Sequence, residues 1–253
     1  MAAPVSDLVL GPGQIDVWMA STAAGTDSWC EAGLATVLSD DERQRHGRYM
    51  FAKDRRRFLV TRLLVRYVLS RYVAVAPADW RFAASAYGKP MIANAHPVAA
   101  DLAFNVSHSD QVVLLGITRD AALGIDVEDR QRRIPLNIAD SYFSAGEMHQ
   151  LRALPASLQG ERFLDFWTLK ESYIKARGEG LSLPLDQFCF DLSEAARIGI
   201  SFDARLDDAP ARWKFWQWQP TEDSTAALCV QQQPGRAGQQ SITMRRTVPF
   251  VSE

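Results

Sequence analysis

The chain has 253 residues, of which 47% are hydrophobic and 23% are charged, proportions typical of a globular protein and unlike those of a disordered or fibrous one. Its 28 Lys and Arg residues oppose 30 Asp and Glu residues, for a net charge of −2, so no overall positive field attracts nucleic acid or an anionic membrane. Three widely separated cysteines predict neither a disulfide framework nor a zinc site. Because the first residues lack a signal-peptide pattern and no apolar run reaches membrane-spanning length, we expect a cytoplasmic protein.

The first half of the sequence predicts a strand near residues 14–19, then helices, then short strands. Ser39-Asp40-Asp41-Glu42 has the form of a capping box that opens a helix. From Arg57 to Tyr72 apolar residues recur with helical spacing, which predicts one stripe packed against a core. Short strand patterns follow, and we expect them to form one small antiparallel sheet, interrupted by a turn at residues 87–90. These patterns cover residues 80–84, 104–107, 112–118 and 123–128.

Helices followed by strands recur in the second half, so the predicted fold class is α+β. Ser144-Ala145-Gly146-Glu147 is another capping-box form, and a helix is predicted from Glu161 to Ala176 and ended by Gly178. Strand patterns follow at residues 188–191, 198–202, 213–218 and 226–230. The polar stretch at residues 231–238 leaves open whether the final residues form a loose tail or an edge strand. We divide the chain into two α+β halves, residues 1–120 and 121–253, without a residue-level repeat strong enough to prove duplication.

One pair of acids stands out in the segment Gly124-Ile125-Asp126-Val127-Glu128. In a strand, Asp126 and Glu128 point to the same face. Two carboxylates this close repel each other unless a cation or a proton separates them, and oxygen ligands of this kind suit Mg²⁺. The ordinary alternative is a solvated strand face.

A second pattern lies on the predicted long helix, where Trp167, Glu171 and Lys175 follow each other at four-residue spacing and therefore share one face. That face offers one acid and one base. Taken alone, Glu171 and Lys175 also fit a surface ion pair, and Trp167 fits a core position.

Phosphate contacts are the third expectation. The hydroxyls and imidazole of Ser107, His108 and Ser109 could bind phosphate oxygens. Arginines between residues 43 and 57, among them Arg45 and Arg57, form the densest basic region and could do the same, or simply cover a solvated helix face.

In this order and spacing, the motifs resemble the Sfp-type (surfactin-synthetase-activating) class of 4'-phosphopantetheinyl transferases. The resemblance spans Ser39 to about Phe190, and the later strands match only in general character. The motifs that carry it are Tyr87-Gly88-Lys89-Pro90, Phe104-Asn105-Val106-Ser107-His108-Ser109, Gly124-Ile125-Asp126-Val127-Glu128, Phe143-Ser144 with Glu147, and Trp167-Thr168-Leu169-Lys170-Glu171-Ser172-Tyr173-Ile174-Lys175 with Gly178, Gly180 and Leu181.

The resemblance implies the 4'-phosphopantetheinyl transferase fold, in which two similar α+β halves are related by a pseudo-twofold axis and share a cleft for coenzyme A and Mg²⁺. It implies Asp126, Glu128 and Glu171 as the metal ligands. It also implies coenzyme A contacts from Arg45, Arg57, Lys89, Ser107, His108 and Lys175. Where some relatives carry a lysine after the first helix start, this chain has Glu42.

The activity implied is transfer of 4'-phosphopantetheine from coenzyme A to a serine of an apo acyl or peptidyl carrier protein, with release of 3',5'-ADP. Glu171 would take the serine proton, directly or through water, and Lys175 would stabilise the departing phosphate oxygen. Such an enzyme would serve fatty-acid, polyketide or nonribosomal peptide synthesis, would work as a monomer, and could accept Mn²⁺ in place of Mg²⁺. The alternatives are a non-catalytic module that binds coenzyme A or a nucleotide, and a structural adaptor for a protein partner.

Overall fold

The computed structural model describes residues 7–23, 27–132, 138–194, 197–233, 235 and 239–246. Parts of the polar stretch predicted at 231–238, namely residues 234 and 236–238, lie outside the described residues, as do residues 1–6. Helices and sheets alternate along the chain, which confirms the predicted α+β class. The chain divides into two compact units. The first unit takes the described residues of Met1–Ser85, Pro90–Asp120 and Gln239–Glu253, and the second takes those of Ala86–Lys89 and Ala121–Gly238.

The first unit packs a long helix against a mostly antiparallel sheet. Its helices are α1 (Asp27–Thr36), α2 (Asp40–Gly47), α3 (Ala52–Tyr72) and α4 (Pro97–Ala100). Its strands are β1 (Gln14–Ser21), β2 (Phe82–Ala84), β3 (Pro90–Ile92), β4 (Leu102–His108) and β5 (Val112–Arg119), together with the late strand β11 (Ser241–Arg246). Strands β1, β5 and β4 are neighbours in one sheet, and β2 pairs with β3. The apolar stripe predicted on α3 is buried, with Leu63, Leu64 and Leu69 fully inside the core.

The second unit repeats this order of elements. Its helices are α5 (Ala139–Tyr142), α6 (Ala145–Arg152) and α7 (Ala156–Arg177). Its strands are β6 (Leu123–Asp129), β7 (Phe188–Asp191), β8 (Gly199–Phe202), β9 (Trp213–Trp218) and β10 (Ser224–Gln231). Strands β6, β10 and β9 are neighbours in one antiparallel sheet, and β7 pairs with β8. Each unit therefore holds a first strand, a capped short helix, a long helix, a hairpin and a final strand pair.

The prediction of one antiparallel sheet across residues 80–128 is wrong. Strand β6 pairs with β10, about a hundred residues later, with Asp126 opposite Ala227. Both strands pack on α7, whose apolar face would otherwise stay exposed to water. Helix α7 begins at Ala156, five residues earlier than predicted. The prediction missed this first turn because residues 156–160 lack the apolar spacing on which it relied.

The final strand does not stay with the half of the chain that precedes it. Strand β11 runs parallel to β1 at the edge of the first sheet, so one of the two open alternatives, the edge strand, is the correct one. Arg245 on β11 donates to the fully buried carboxylate of Asp16 at 3.0 Å. Residues 239–246 therefore belong to the first unit and not to a segment 121–253, because both the pairing and the charge on Asp16 hold them there.

Both predicted capping boxes form, and each is tied to a buried cation on the long helix of its unit. In the first unit, Glu42 accepts from Arg66, which also donates to the carbonyls of Pro77 and Trp80. In the second, Glu147 pairs with Lys170 at 2.8 Å. A buried ion pair is costly to form but very costly to break on one side, so each fixes a short helix to its long helix.

Candidate active site

Strand β6 and helix α7 approach each other closely enough for their backbones to touch, and Gly124 is the reason. A Cβ atom at this position would lie 2.1 Å from the carbonyl oxygen of Ser172 and 2.4 Å from the backbone nitrogen of Ala176. Real side chains do not come that close, so only glycine fits here. The close approach brings the acids of β6 beside the polar face of α7.

On β6, Asp126 and Glu128 lie two residues apart, as predicted, and both are removed from most of the solvent. The side chain of Asp126 is 6% exposed and that of Glu128 is 20% exposed. Glu128 accepts a hydrogen bond from Arg132 at 3.0 Å. These positions differ from the solvated strand face that was the ordinary alternative.

On α7, Lys175 reaches across to β6. Its ammonium lies 2.6 Å from Oδ1 of Asp126 and donates to the carbonyl oxygen of Ile125 at 3.2 Å. This pair joins two elements, whereas the ordinary alternative was a pair with Glu171 along the helix surface. Trp167 stacks on Phe163 and is half-buried.

Electrostatics link the three predicted metal ligands to one another. Burial, and after it the negative charge of Asp126, raises the pKa of Glu171 to about 7; Glu128 adds to this rise and Lys175 opposes it. Burial and then Asp126 raise the pKa of Glu128 as well, against Arg132 and Lys175. The carboxylates of Asp126, Glu128 and Glu171 therefore share one neighbourhood, with Lys175 as their common positive charge.

The donor set fits a hard divalent cation, because it consists of carboxylate oxygens whose mutual repulsion a cation relieves. Within the described residues, however, no three acidic, histidine or cysteine side chains are already gathered as a metal-binding group. The three acids influence one another electrostatically, and the ammonium of Lys175 already contacts Asp126.

Lys89 also lies at this end of α7. Its ammonium donates to the carbonyl oxygens of Leu123 at 3.0 Å and Ala176 at 3.3 Å, which are the neighbours of Gly124 on β6 and of Lys175 on α7. Burial lowers the pKa of Lys89 to about 8. The residue predicted as a phosphate contact thus bridges the two elements that carry the acids.

The buried ion pair between Glu147 on α6 and Lys170 on α7 holds these two helices together. Besides Lys170, Glu147 accepts from the backbone nitrogens of Ser144 and Phe190, and Lys170 donates to the carbonyls of Leu185 and Phe188. Lys170 is next to Glu171, so this satisfied network fixes the turn of α7 that carries the acid.

In the first unit, the structure brings Arg57 to the loop that follows β4. Arg57 donates to Asp54 at 2.7 Å and to Asp110 at 2.6 Å, and Asp110 comes two residues after His108. Ser107 is buried and His108 is exposed, because neighbouring residues of a strand face opposite sides. The two are therefore not aligned on one face, as a shared phosphate contact would favour.

Arg45 lies on α2 and lines an open groove of about 590 Å³ with Arg48 and Tyr49. Its guanidinium stands 5.7 Å from the ring centre of Phe58. Glu42 binds the buried Arg66. This chain therefore has a structural ion pair at a position where the resemblance would place a phosphate contact.

Comparison with known proteins decides the family. The model of the 4'-phosphopantetheinyl transferase superfamily matches residues 122–229, and that of the 4'-phosphopantetheinyl transferase N-terminal region matches residues 24–119. The chain belongs to the 4'-phosphopantetheinyl transferase superfamily. The predicted Sfp-type family is confirmed, and with it an enzyme that transfers a phosphopantetheinyl group.

Individual relatives agree with this assignment. The chain is 37% identical to the 4'-phosphopantetheinyl transferase ffp of Bacillus subtilis, over 66% of this chain and 72% of that protein. It is 37% identical to the 4'-phosphopantetheinyl transferase Sfp of Bacillus subtilis (strain 168), over 65% of this chain and 71% of that protein. It is 32% identical to the 4'-phosphopantetheinyl transferase HetI of a Nostoc species, over 78% of this chain and 80% of that protein. Among the described residues, no helix is long and apolar enough to cross a membrane.

Sequence reasoning missed residues that hold the predicted site residues in place. Gly124 was noted only as part of a motif, although a glycine inside a strand pattern is a signal of close backbone approach. Asp110 follows the Ser-His-Ser cluster and holds Arg57, and no sequence pattern pointed to it.

Proposed function

We propose that this transferase moves 4'-phosphopantetheine from coenzyme A to a serine hydroxyl of an apo acyl or peptidyl carrier protein and releases 3',5'-ADP. The new bond joins the serine oxygen to the phosphorus that carries pantetheine. The bond that breaks joins that phosphorus to the oxygen bridging it to the adenosine side, and this oxygen leaves with 3',5'-ADP. The observation that supports the proposal most is the meeting of Asp126, Glu128 and Glu171 with Lys175 at the contact of β6 with α7.

Asp126, Glu128 and Glu171 would hold Mg²⁺, for which their oxygens are suited. The ion would neutralise the negative charge that grows on the leaving phosphate. Mn²⁺ accepts similar oxygen ligands and would substitute.

Glu171 would take the proton of the carrier serine, directly or through a water molecule. Without a bound cation, burial and Asp126 raise the pKa of Glu171 to about 7, and a carboxylate with a raised pKa is a better proton acceptor than an ordinary one. Lys175 would donate to the phosphate oxygen that departs, where an ammonium stabilises developing charge. Both residues lie on one face of α7 and are one helical turn apart.

Arg45, Arg57, Lys89, Ser107 and His108 would contact the phosphates or the adenine of coenzyme A. Arg57 would have to exchange Asp54 and Asp110 for phosphate oxygens, and its side chain is only 25% exposed in those ion pairs. We also propose a pseudo-twofold relation between the halves, which their matching order of elements supports. A monomer in the cytoplasm would then suffice.

The test is an intact-mass measurement on an apo carrier protein incubated with the enzyme, coenzyme A and Mg²⁺. A gain of one phosphopantetheine is expected with the natural enzyme. Asp126→Asn and Glu171→Gln should abolish it, while Asp191→Asn, which alters an exposed carboxylate on β7, should not. No mass gain with several acyl and peptidyl carriers would contradict the proposal, and tight coenzyme A binding without transfer would favour the non-catalytic module instead.

A further inference from the structure

The position of the Lys175 ammonium is unusual for a surface helix residue. An ordinary lysine four residues after a glutamate on a helix forms its ion pair with that glutamate. Lys175 spans from α7 to β6, where it contacts Asp126 at 2.6 Å and the carbonyl of Ile125 at 3.2 Å. Its positive charge also acts on Glu128 and Glu171.

We propose that Lys175 is the resident cation of this acidic cluster in the free enzyme, and that a divalent ion gains Asp126 only when substrate phosphates draw Lys175 away. The inference rests on the proposed function, because it takes the cluster as the metal site. It goes further by stating that metal and coenzyme bind together and not independently.

Two features of the acidic cluster support the proposal that the metal gains Asp126 only after Lys175 has moved away. Asp126 is 6% exposed, so its oxygens have little room for a hydrated ion while the ammonium contacts one of them. Positive charges also repel each other, so an ion beside Lys175 would lose part of its attraction to the acids. The ammonium of Lys175 accordingly contacts Asp126, and the described acids do not form a ready metal-binding group.

Lys175 is also able to move. Its side chain is 26% exposed, and a lysine ammonium is a compact charge on a flexible four-carbon stem. A diphosphate offers that ammonium new oxygen partners of the same charge as Asp126. The same lysine would then pass from the acid to the leaving phosphate, which is its proposed role in the transfer.

The test is Mn²⁺ binding, followed by electron paramagnetic resonance, with and without coenzyme A. For the natural enzyme we expect weak binding that coenzyme A strengthens. Lys175→Met should bind Mn²⁺ about tenfold or more tightly than the natural enzyme when coenzyme A is absent. The strengthening by coenzyme A should be much smaller in this variant, and Lys175→Arg should behave like the natural enzyme.

Two further variants make the result specific. Lys214→Met removes the same charge from β9 of the same unit and should leave Mn²⁺ binding unchanged. Asp126→Asn in the Lys175→Met background should abolish the gain. Equal or weaker Mn²⁺ binding by Lys175→Met would overturn the inference, and so would an absence of binding in all variants. The intact-mass test is separate. If the natural enzyme transfers phosphopantetheine but Lys175→Met binds Mn²⁺ no more tightly than the natural enzyme, the proposed function stands and only this inference is removed.

Discussion

Gly124→Ala tests whether the contact of β6 with α7 determines activity. The added Cβ would lie 2.1 Å from the carbonyl oxygen of Ser172, more than 1 Å short of the ordinary van der Waals contact near 3.4 Å. The neighbouring atoms are backbone of α7, which cannot rotate out of the way as a side chain can. The strand and the helix must therefore move apart.

The magnitude follows from that displacement. Overpacking of a core contact typically costs about 1–3 kcal/mol, and in a chain of this length about 1 kcal/mol lowers the melting temperature by roughly 2–4 °C. The catalytic effect should be larger, because a displacement of about 1 Å can cost on the order of a hundredfold in rate. Asp126 lies two residues from Gly124 on β6, so the displacement falls on the pair between Asp126 and Lys175.

Thermal denaturation and the intact-mass rate assay measure the two effects. Gly160→Ala is the matched control, since Gly160 lies on the same helix and an added Cβ there meets nothing within 4 Å. It should raise stability by about 0.4–1 kcal/mol and leave the rate unchanged. A Gly124→Ala enzyme with natural stability and natural rate would refute the argument that this contact positions the site.

Four further changes address the supports of the site and of the fold. Glu147→Gln leaves a buried ammonium without its counter-charge and should cost about 3–5 kcal/mol in urea unfolding; unchanged unfolding would remove the structural role of this pair. Lys89→Met should raise the KM for coenzyme A, because the proposed contact with the coenzyme is lost; a lowered kcat with an unchanged KM would show that the lysine only bridges backbone carbonyls. Arg245→Met should cost about 1.5–3 kcal/mol by removing a charged donor from buried Asp16, with the exposed neighbour Arg246→Met as the control that should cost nothing. Burial raises the pKa of Asp165 to about 6, so the ionised carboxylate lowers the stability of the fold above pH 6, whereas below 3.8, its pKa in the unfolded chain, it has no such effect. Asp165→Asn should therefore raise the free energy of unfolding by about 1–3 kcal/mol at pH 8 but not at pH 3.5. An equal effect at both pH values would contradict this.

The local features of the fold could be predicted because their causes are local. A serine followed three residues later by a glutamate closes its own hydrogen-bonded ring, so both capping boxes form where the sequence places them. The turn from α7 into Gly178 has a φ of 72°, which glycine adopts without strain. These interactions involve neighbours within one helical turn, and no tertiary contact competes with them.

The pairing of strands could not be predicted in the same way, since it depends on partners far along the chain. The residues from Leu123 onward have a strand pattern, but that pattern does not predict that the neighbouring strand is β10. The sequence left open whether the final residues form an edge strand or a loose tail. Only the pairing of β11 with β1 and the contact of Arg245 with Asp16 distinguish the two, and both are long-range. For the same reason the sequence predicted that Lys175 belongs to the site but not that its partner is Asp126.

The matching order of elements in the two units allows their long helices to be compared. Each long helix carries a buried cation that holds a capping-box glutamate, Arg66 in the first unit and Lys170 in the second. The residue that follows differs: it is Tyr67, whose pKa burial raises to about 12, in the first unit, and Glu171 in the second. A neutral phenol at this position cannot serve as a third acid, so of the two described long helices only α7 carries an acid directly after its buried cation. The acids can therefore be changed without losing the fold, whereas the buried pairs beneath them cannot, and substitutions of Glu171 and of Glu147 should separate activity from stability in the same assay.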